Sequence, residues 1–281
     1  MLPTLFHVGP YGIGTHDFFV LLGVLAATVV FFHEAQRRRM LDEPLIWIVV
    51  GTLFCGALAA RLSTAWHYLD AAPDPSLEGL LLRGGKSILG GLAGAYFGAI
   101  LAKRLLGYRA RTGDLFAPAV ALGMAIGRWG CFLTEQIGTP TSLPWGIAVS
   151  PEVAARIPDC RYCAPGARMH PSFIYEIIFH AIMFAWLWRL RPRAPGDGGL
   201  LKIYLLCYAL FRFAVEFVRG NEIVWAGLTR SQLFLIPSTT LLVIYFWRHR
   251  AEYAYALGGG VSLEQLDPPF PGTSADPNMG G

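Results

Sequence analysis

Seven apolar stretches, each about as long as a bilayer-spanning helix needs to be, recur along the chain between charged or Gly/Pro-punctuated segments. They cover residues 16–33, 44–64, 86–106, 114–133, 172–190, 199–218 and 231–247. A lead-in at 1–14 is punctuated by Gly and Pro and carries aromatics, the composition of an interfacial segment. A long loop occupies 134–170, and a shorter one 219–229. The pattern predicts an all-α integral membrane protein with one polytopic domain over 1–250. The segment 251–281 reads as a cytoplasmic tail, Gly/Pro-rich and disordered from Gly258. The first stretch has neither a basic leader nor a small-residue cleavage site and reads as a retained helix.

Charge orients the pattern. Basic runs follow the first stretch (Arg37, Arg38, Arg39), the third (Lys103, Arg104, Arg109, Arg111), the fifth (Arg189, Arg191, Arg193) and the seventh (Arg248, Arg250). The intervening loops are acidic or mixed, as after the second stretch with Asp70, Asp74 and Glu78. The positive-inside rule then predicts seven spans with the N-terminus outside and the C-terminus inside. It places the 134–170 and 219–229 loops on the outer side. Composition agrees: 54% of residues are hydrophobic, 15% are charged, and mean hydropathy is +0.46. The net charge of +4 is distributed as topology signals, which argues against a nucleic-acid partner.

Charges inside apolar stretches carry the candidate chemistry. Arg128 lies within the stretch that leads into GRWGCFLTEQIGTPTSLPWG, where an arginine costs about 3 kcal/mol on insertion scales and faces a cavity or partner. Arg212, Glu216 and Arg219 are spaced i, i+4 and i+7, so one helical face presents all three, with Glu216 held between the arginines. Glu176 sits in the fifth stretch with Arg128 or Arg212 as candidate partners, after His170 and Pro171 and beside Tyr175. Arg61 reads as another buried cation, and Asp114 as the N-cap of the fourth helix. Glycines of the third stretch, at 84, 85, 90, 91, 94 and 98, predict close helix packing or backbone approach to a lipid head group. Trp66, Tyr68 and Trp145 read as interfacial belt aromatics. Three arginines and two carboxylates at head-group depth predict a site for an anionic phospholipid, since guanidinium forks suit phosphate. A proton relay would favour Asp, Glu and His chains instead, and a transporter would show paired broken helices.

Cysteine use adds little chemistry. Cys55, Cys131 and Cys207 read as small core residues. Cys160 and Cys163 form a lone CxxC, suited to a labile disulfide in an oxidising compartment rather than to zinc, because no second CxxC or His pair accompanies it. No metal and no cofactor are expected.

Taken together, GRxG with its polar PT…PWG loop, HPSxxYE at 170–176, FRxxxEFxR at 211–219, GGKSxxGGLxG in the third stretch, Arg61 and DLFAP at 114–118 resemble prolipoprotein diacylglyceryl transferases. The resemblance spans nearly all seven stretches in order. It implies a multi-pass enzyme of the bacterial inner (plasma) membrane. Such an enzyme transfers the diacylglyceryl group of phosphatidylglycerol to the lipobox cysteine of a prolipoprotein signal peptide and releases glycerol phosphate. It further implies that Arg128 contacts the head group, that Arg212 lies near the reacting centre, and that Glu216 and Arg219 pair with it. Arg61, Gly138, Tyr175 and Glu176 join the phosphatidylglycerol site. Three positions depart from the family pattern: Leu89 replaces a histidine proposed as the thiol's base, Cys131 replaces an asparagine, and His16 falls where a tyrosine is usual. Glu135, His170 or His16 then become candidates for the base, with Glu135 and His170 ranked first. Cys131 as a nucleophile of its own is the less favoured route. The alternatives are a non-catalytic paralogue that binds anionic lipid or lipoprotein, and a transferase for another acceptor.

Overall fold

A computed structural model of the protein describes residues 2, 4–9, 11–65, 79, 87–135, 138–151, 166–193, 198–250 and 253. Seven α-helices with defined bounds lie among them: α1 Thr15–Arg37, α2 Glu43–Leu62, α3 Ile88–Leu105, α4 Gly113–Thr134, α5 Ser172–Leu190, α6 Gly199–Val215 and α7 Arg230–Arg248. Each coincides with one apolar stretch. The helices α1 to α5 are long and apolar enough to cross a membrane. α6 is a 17-residue helix continued by a 3-10 turn, Glu216–Val218. α7 carries Gln232, Ser238, Thr239 and Thr240. The chain is thus a helical, multi-pass membrane protein.

The all-α expectation needs one correction, because three short antiparallel hairpins accompany the helices among the described residues. β1 (Thr4–Val8) pairs with β2 (Tyr11–Gly14) in the lead-in. β3 (Ile147–Ala148) pairs with β4 (Arg168–Met169), and β5 (Ile223–Trp225) pairs with β6 (Leu228–Thr229). The last turns on Ala226 and Gly227, both at positive φ, the two-residue geometry that matches strand twist. The tail from Gly258, the Cys160–Cys163 pair, Trp66, Tyr68, Gly84, Gly85, Asp70, Asp74 and Glu78 fall outside the described residues.

The chain packs as two compact units, one of residues 32–110 and one that joins 1–31 to 111–281. In the first, α2 and α3 lie backbone to backbone. A Cβ at Gly94 would overlap Ala59, and one at Gly98 would come within 2.5 Å of Cys55 Cβ. The glycine face of the third stretch is therefore a packing surface against α2. Asp42 and Ser87 cap these two helices, accepting from the backbone N–H of Leu45 (3.0 Å) and Gly90 (3.2 Å). Arg61, in the last turn of α2, is only half-buried rather than enclosed. At the end of α1, Arg37 and Arg38 both donate to the buried Glu34, at 2.5 and 2.9 Å.

In the second unit, Ala117 and Ala121 of α4, Met183 and Leu187 of α5, and Leu200 and Tyr204 of α6 form the core. α1 runs antiparallel along α4: Gly23 meets Gly123, and His16 meets Gly130. Asp114 does not cap its own helix. It is buried, and its Oδ1 accepts from the Leu200 N–H at 2.9 Å, so it caps α6 across the interface. These contacts bring the starts of α1, α5 and α7 and the ends of α4 and α6 to one end of the unit.

Candidate active site

That end of the unit holds the buried charges. Arg128, on the last turns of α4, pairs with Glu176 Oε2 on the first turns of α5. Glu176 is wholly enclosed, and its Oε1 accepts from Arg219 Nη1 at 2.5 Å. One carboxylate therefore bridges two guanidiniums from different parts of the chain. The ring of Phe173 supports both, with Arg219 4.6 Å and Arg128 6.0 Å from its centroid. Arg128 Nη2 also donates to the Tyr208 hydroxyl at 3.4 Å, and its buried Nε has no hydrogen-bond partner among the described residues.

A second pair stands beside the first. Arg212 bonds Glu216 Oε2, one turn on. Glu216 Oε1 accepts from Asn221 Nδ2 (2.7 Å) and from Thr229 Oγ1 (2.8 Å). Thr229 is the N-cap of α7 in a reciprocal capping box with Gln232, so the cap and the acid share one network. Arg212 also lies within electrostatic reach of Glu176. Three guanidiniums face two carboxylates, which leaves one positive charge in excess, the requirement for an anion site. A cavity of about 390 Å³ opens beside Glu216, lined also by Thr139, Gly220, Asn221 and Gln232.

Arg219 corrects the expectation from spacing. Glu216 does not lie between two arginines, because the α-helix ends at Val215 and the tighter 3-10 turn carries Arg219 round to Glu176. Glu176 finds Arg128, as expected, and Arg219 rather than Arg212.

His170 and Tyr175 form a separate polar group. His170 Nδ1 and the Tyr175 hydroxyl are 3.2 Å apart, and Trp145 Nε1 donates to the same hydroxyl at 2.8 Å. Gly138 holds this loop in place. A Cβ there would overlap the Val218 carbonyl oxygen and come within 2.8 Å of that of His170. Around it, Thr139 N–H donates to Val218 O and His170 N–H to Thr139 O, both at 2.8 Å. Arg61 belongs to the other compact unit.

Glu135 stands apart from the arginines, at the end of α4, with its side chain 44% exposed. His16 Nε2 approaches Glu135 Oε1 to 3.9 Å. Cys131, buried on the same helix, completes a group whose nitrogen, sulfur and oxygen atoms all lie within 4.8 Å of one another. Arg128 Nη1 reaches Cys131 Sγ at 3.9 Å, so the group abuts the charged cluster. The sequence reading missed this convergence. The spacing 128, 131, 135 put Cys131 and Glu135 on one helical face with Arg128, but His16 arrives through the close approach of α1 at Gly130. Tyr208 at Arg128, and the buried His180–Tyr204 pair (3.0 Å) next to it, were also missed. Their signal was the i, i+4 series Tyr204, Tyr208, Arg212.

Comparison with known proteins reaches the same family. The family model of prolipoprotein diacylglyceryl transferase matches residues 3–248. The chain is 30% identical over 253 residues to the phosphatidylglycerol–prolipoprotein diacylglyceryl transferase of Trichormus variabilis, covering 85% of this chain and 86% of that protein. It is 31% identical over 257 residues to the protein of that name from Synechococcus elongatus, covering 86% and 85%. The one from Fervidobacterium nodosum is 29% identical over 270 residues, covering 90% and 85%.

Proposed function

We propose that this chain, which belongs to the prolipoprotein diacylglyceryl transferase family, transfers the diacylglyceryl group of phosphatidylglycerol to a cysteine thiol of a prolipoprotein. The observation that carries the reading is the buried group Arg128–Glu176–Arg219 with Arg212–Glu216 beside it. Its excess positive charge suits a phosphodiester. The reaction forms a bond from thiolate sulfur to the glyceryl carbon and breaks that carbon's bond to phosphate oxygen. Glycerol phosphate leaves with the electron pair.

Guanidiniums placed where charge grows on the departing phosphate stabilise the transition state more than the ground state. In this reading Arg128 and Arg212 do that work, Arg219 and Glu216 add to the head-group site, and Glu176 orients Arg128 and Arg219. Tyr175 and Gly138 complete the lipid-binding set. Glu135 and His170 are the candidates for taking the thiol's proton.

The acceptor in this reading is the lipobox cysteine of a signal peptide at the outer face of the bacterial inner membrane. All seven helices span, with the N-terminus outside. The basic last turns of α5 and α7 lie at the ends of those helices remote from the site, as positive-inside orientation requires.

The test is a transfer assay. Purified protein, phosphatidylglycerol labelled in its diacylglyceryl part and a lipobox peptide should yield a labelled thioether. No thioether, with tight phosphatidylglycerol binding intact, would instead identify a lipid-binding paralogue.

A further inference from the structure

His16, at the start of α1, meets Cys131 of α4 in space, and Glu135 joins them. The three offer imidazole nitrogen, thiol sulfur and carboxylate oxygen, the donor set of a zinc site with one position left open. A tetrahedral zinc holds such atoms roughly 3.5 Å apart. The His16–Glu135 pair at 3.9 Å is close to that already, and the whole group lies within 4.8 Å. Mixed sulfur and nitrogen donors disfavour magnesium and calcium.

A second observation points the same way. While Nε2 of His16 faces the group, its Nδ1 faces Asp17 Oδ1 at 3.6 Å. Ligating histidines characteristically turn their other nitrogen to such a carboxylate, which fixes the ring and raises its basicity. The fold also brings the ligands together by a specific device. Gly130, without a side chain, lets the start of α1 approach α4 beside Cys131: a Cβ there would lie 3.0 Å from His16 Cα. The group is accessible on one side, with the His16 and Glu135 side chains 29% and 44% exposed. On the other side it touches Arg128.

We propose that His16, Cys131 and Glu135 bind a zinc ion whose open position takes the acceptor thiol and holds it as thiolate. The acceptor role rests on the transferase reading above; the metal site does not. A coordinating thiol is deprotonated outright. In the proposed step the acceptor S–H releases its proton to solvent on binding zinc, and its sulfur lone pair attacks the glyceryl carbon. The carbon–oxygen bond breaks with its electron pair going to the phosphate, and the neutral thioether leaves the metal. Nothing is oxidised or reduced.

The test uses the full-length protein in detergent and begins without substrate. Metal analysis should find zinc in proportion to protein. Cobalt in its place should give a thiolate-to-metal charge-transfer band. That band should vanish in Cys131→Ser, and zinc binding should be lost in Glu135→Gln, whose half-exposed side chain spares the fold. Asp17→Asn should weaken zinc affinity about 10-fold. A zinc chelator should abolish transfer, and added zinc should restore it. Protein that takes up neither zinc nor cobalt, or a band that survives Cys131→Ser, overturns the site. Full transfer by zinc-free protein overturns the metal's role while the transferase reading stands. Zinc-loaded protein with no transfer from phosphatidylglycerol overturns the transferase reading, and with it the acceptor's role at the metal.

Discussion

Two clusters share the end of α4 and are built on opposite plans. Around Arg128, every charge is enclosed and partnered, Glu176 by arginines from two other elements and Arg212 by Glu216 one turn along its own helical run: Glu176 is wholly buried, and Arg128, Arg212 and Glu216 nearly so. One helical turn on, the Cys131 thiol hydrogen-bonds Glu135, His16 Nε2 stands 3.9 Å from the same carboxylate, and His16 and Glu135 are open to solvent. A charge buried in a membrane protein needs a partner in place before any ligand arrives, so the arginine cluster is structural as well as chemical. A half-exposed group is free to wait for a metal or a thiol. The phosphate side of the reaction is therefore expected to tolerate little change, and the thiol side to tolerate more.

The contrast is broken most severely at the bridging acid. Glu176→Ala leaves Arg128 and Arg219 buried against each other without a carboxylate. It should cost about 3–5 kcal/mol of stability, while Glu135→Ala should cost no more than about 1 kcal/mol. Thermal unfolding of the two variants in the same detergent measures the difference; equal losses would erase the distinction between the clusters. Next in size, Arg128→Lys keeps the charge and removes the fork. It should lower the transfer rate on the order of 100-fold, read at saturating phosphatidylglycerol. Thr229→Ala removes both the α7 cap and a hydrogen bond to Glu216. It should destabilise by about 1–2 kcal/mol, visible as a lower unfolding midpoint with transfer reduced in proportion to the folded fraction. The smallest effect belongs to Leu89→His, which places the histidine that the family resemblance implies for the third stretch. Transfer should equal or exceed that of the unaltered chain; a strong loss would show that Leu89 is required as it stands.

The helices were legible because each is a long apolar run ended by a charge signal, and both features survive any packing. The buried charges were legible one by one, since an arginine or glutamate within such a run has to be enclosed. Their pairing was only partly so. Depth left Glu176 with two candidate partners, Arg128 and Arg212, and packing selects Arg128. Arg219 escaped because spacing assumes an unbroken α-helix, and the 3-10 turn at Glu216–Val218 changes the angle at which it leaves. Asp114 escaped for a different reason: an acid near a helix start reads as that helix's cap, and only packing shows that it serves the start of α6. The hairpins have strands of two to five residues, too short to establish an alternation of polar and apolar positions. His16 could not be assigned to Cys131 by any local pattern, because the link is one glycine on another helix.

The most direct test of the central claim is thioether formation by the Arg212→Ala variant. The measurement uses labelled phosphatidylglycerol and a lipobox peptide, on protein whose unfolding midpoint shows that it has folded. Arg212 is placed where charge grows on the departing phosphate, so no labelled thioether should form while the unaltered chain produces it. Transfer at the unaltered rate would contradict the account and move the reacting centre away from the arginine cluster.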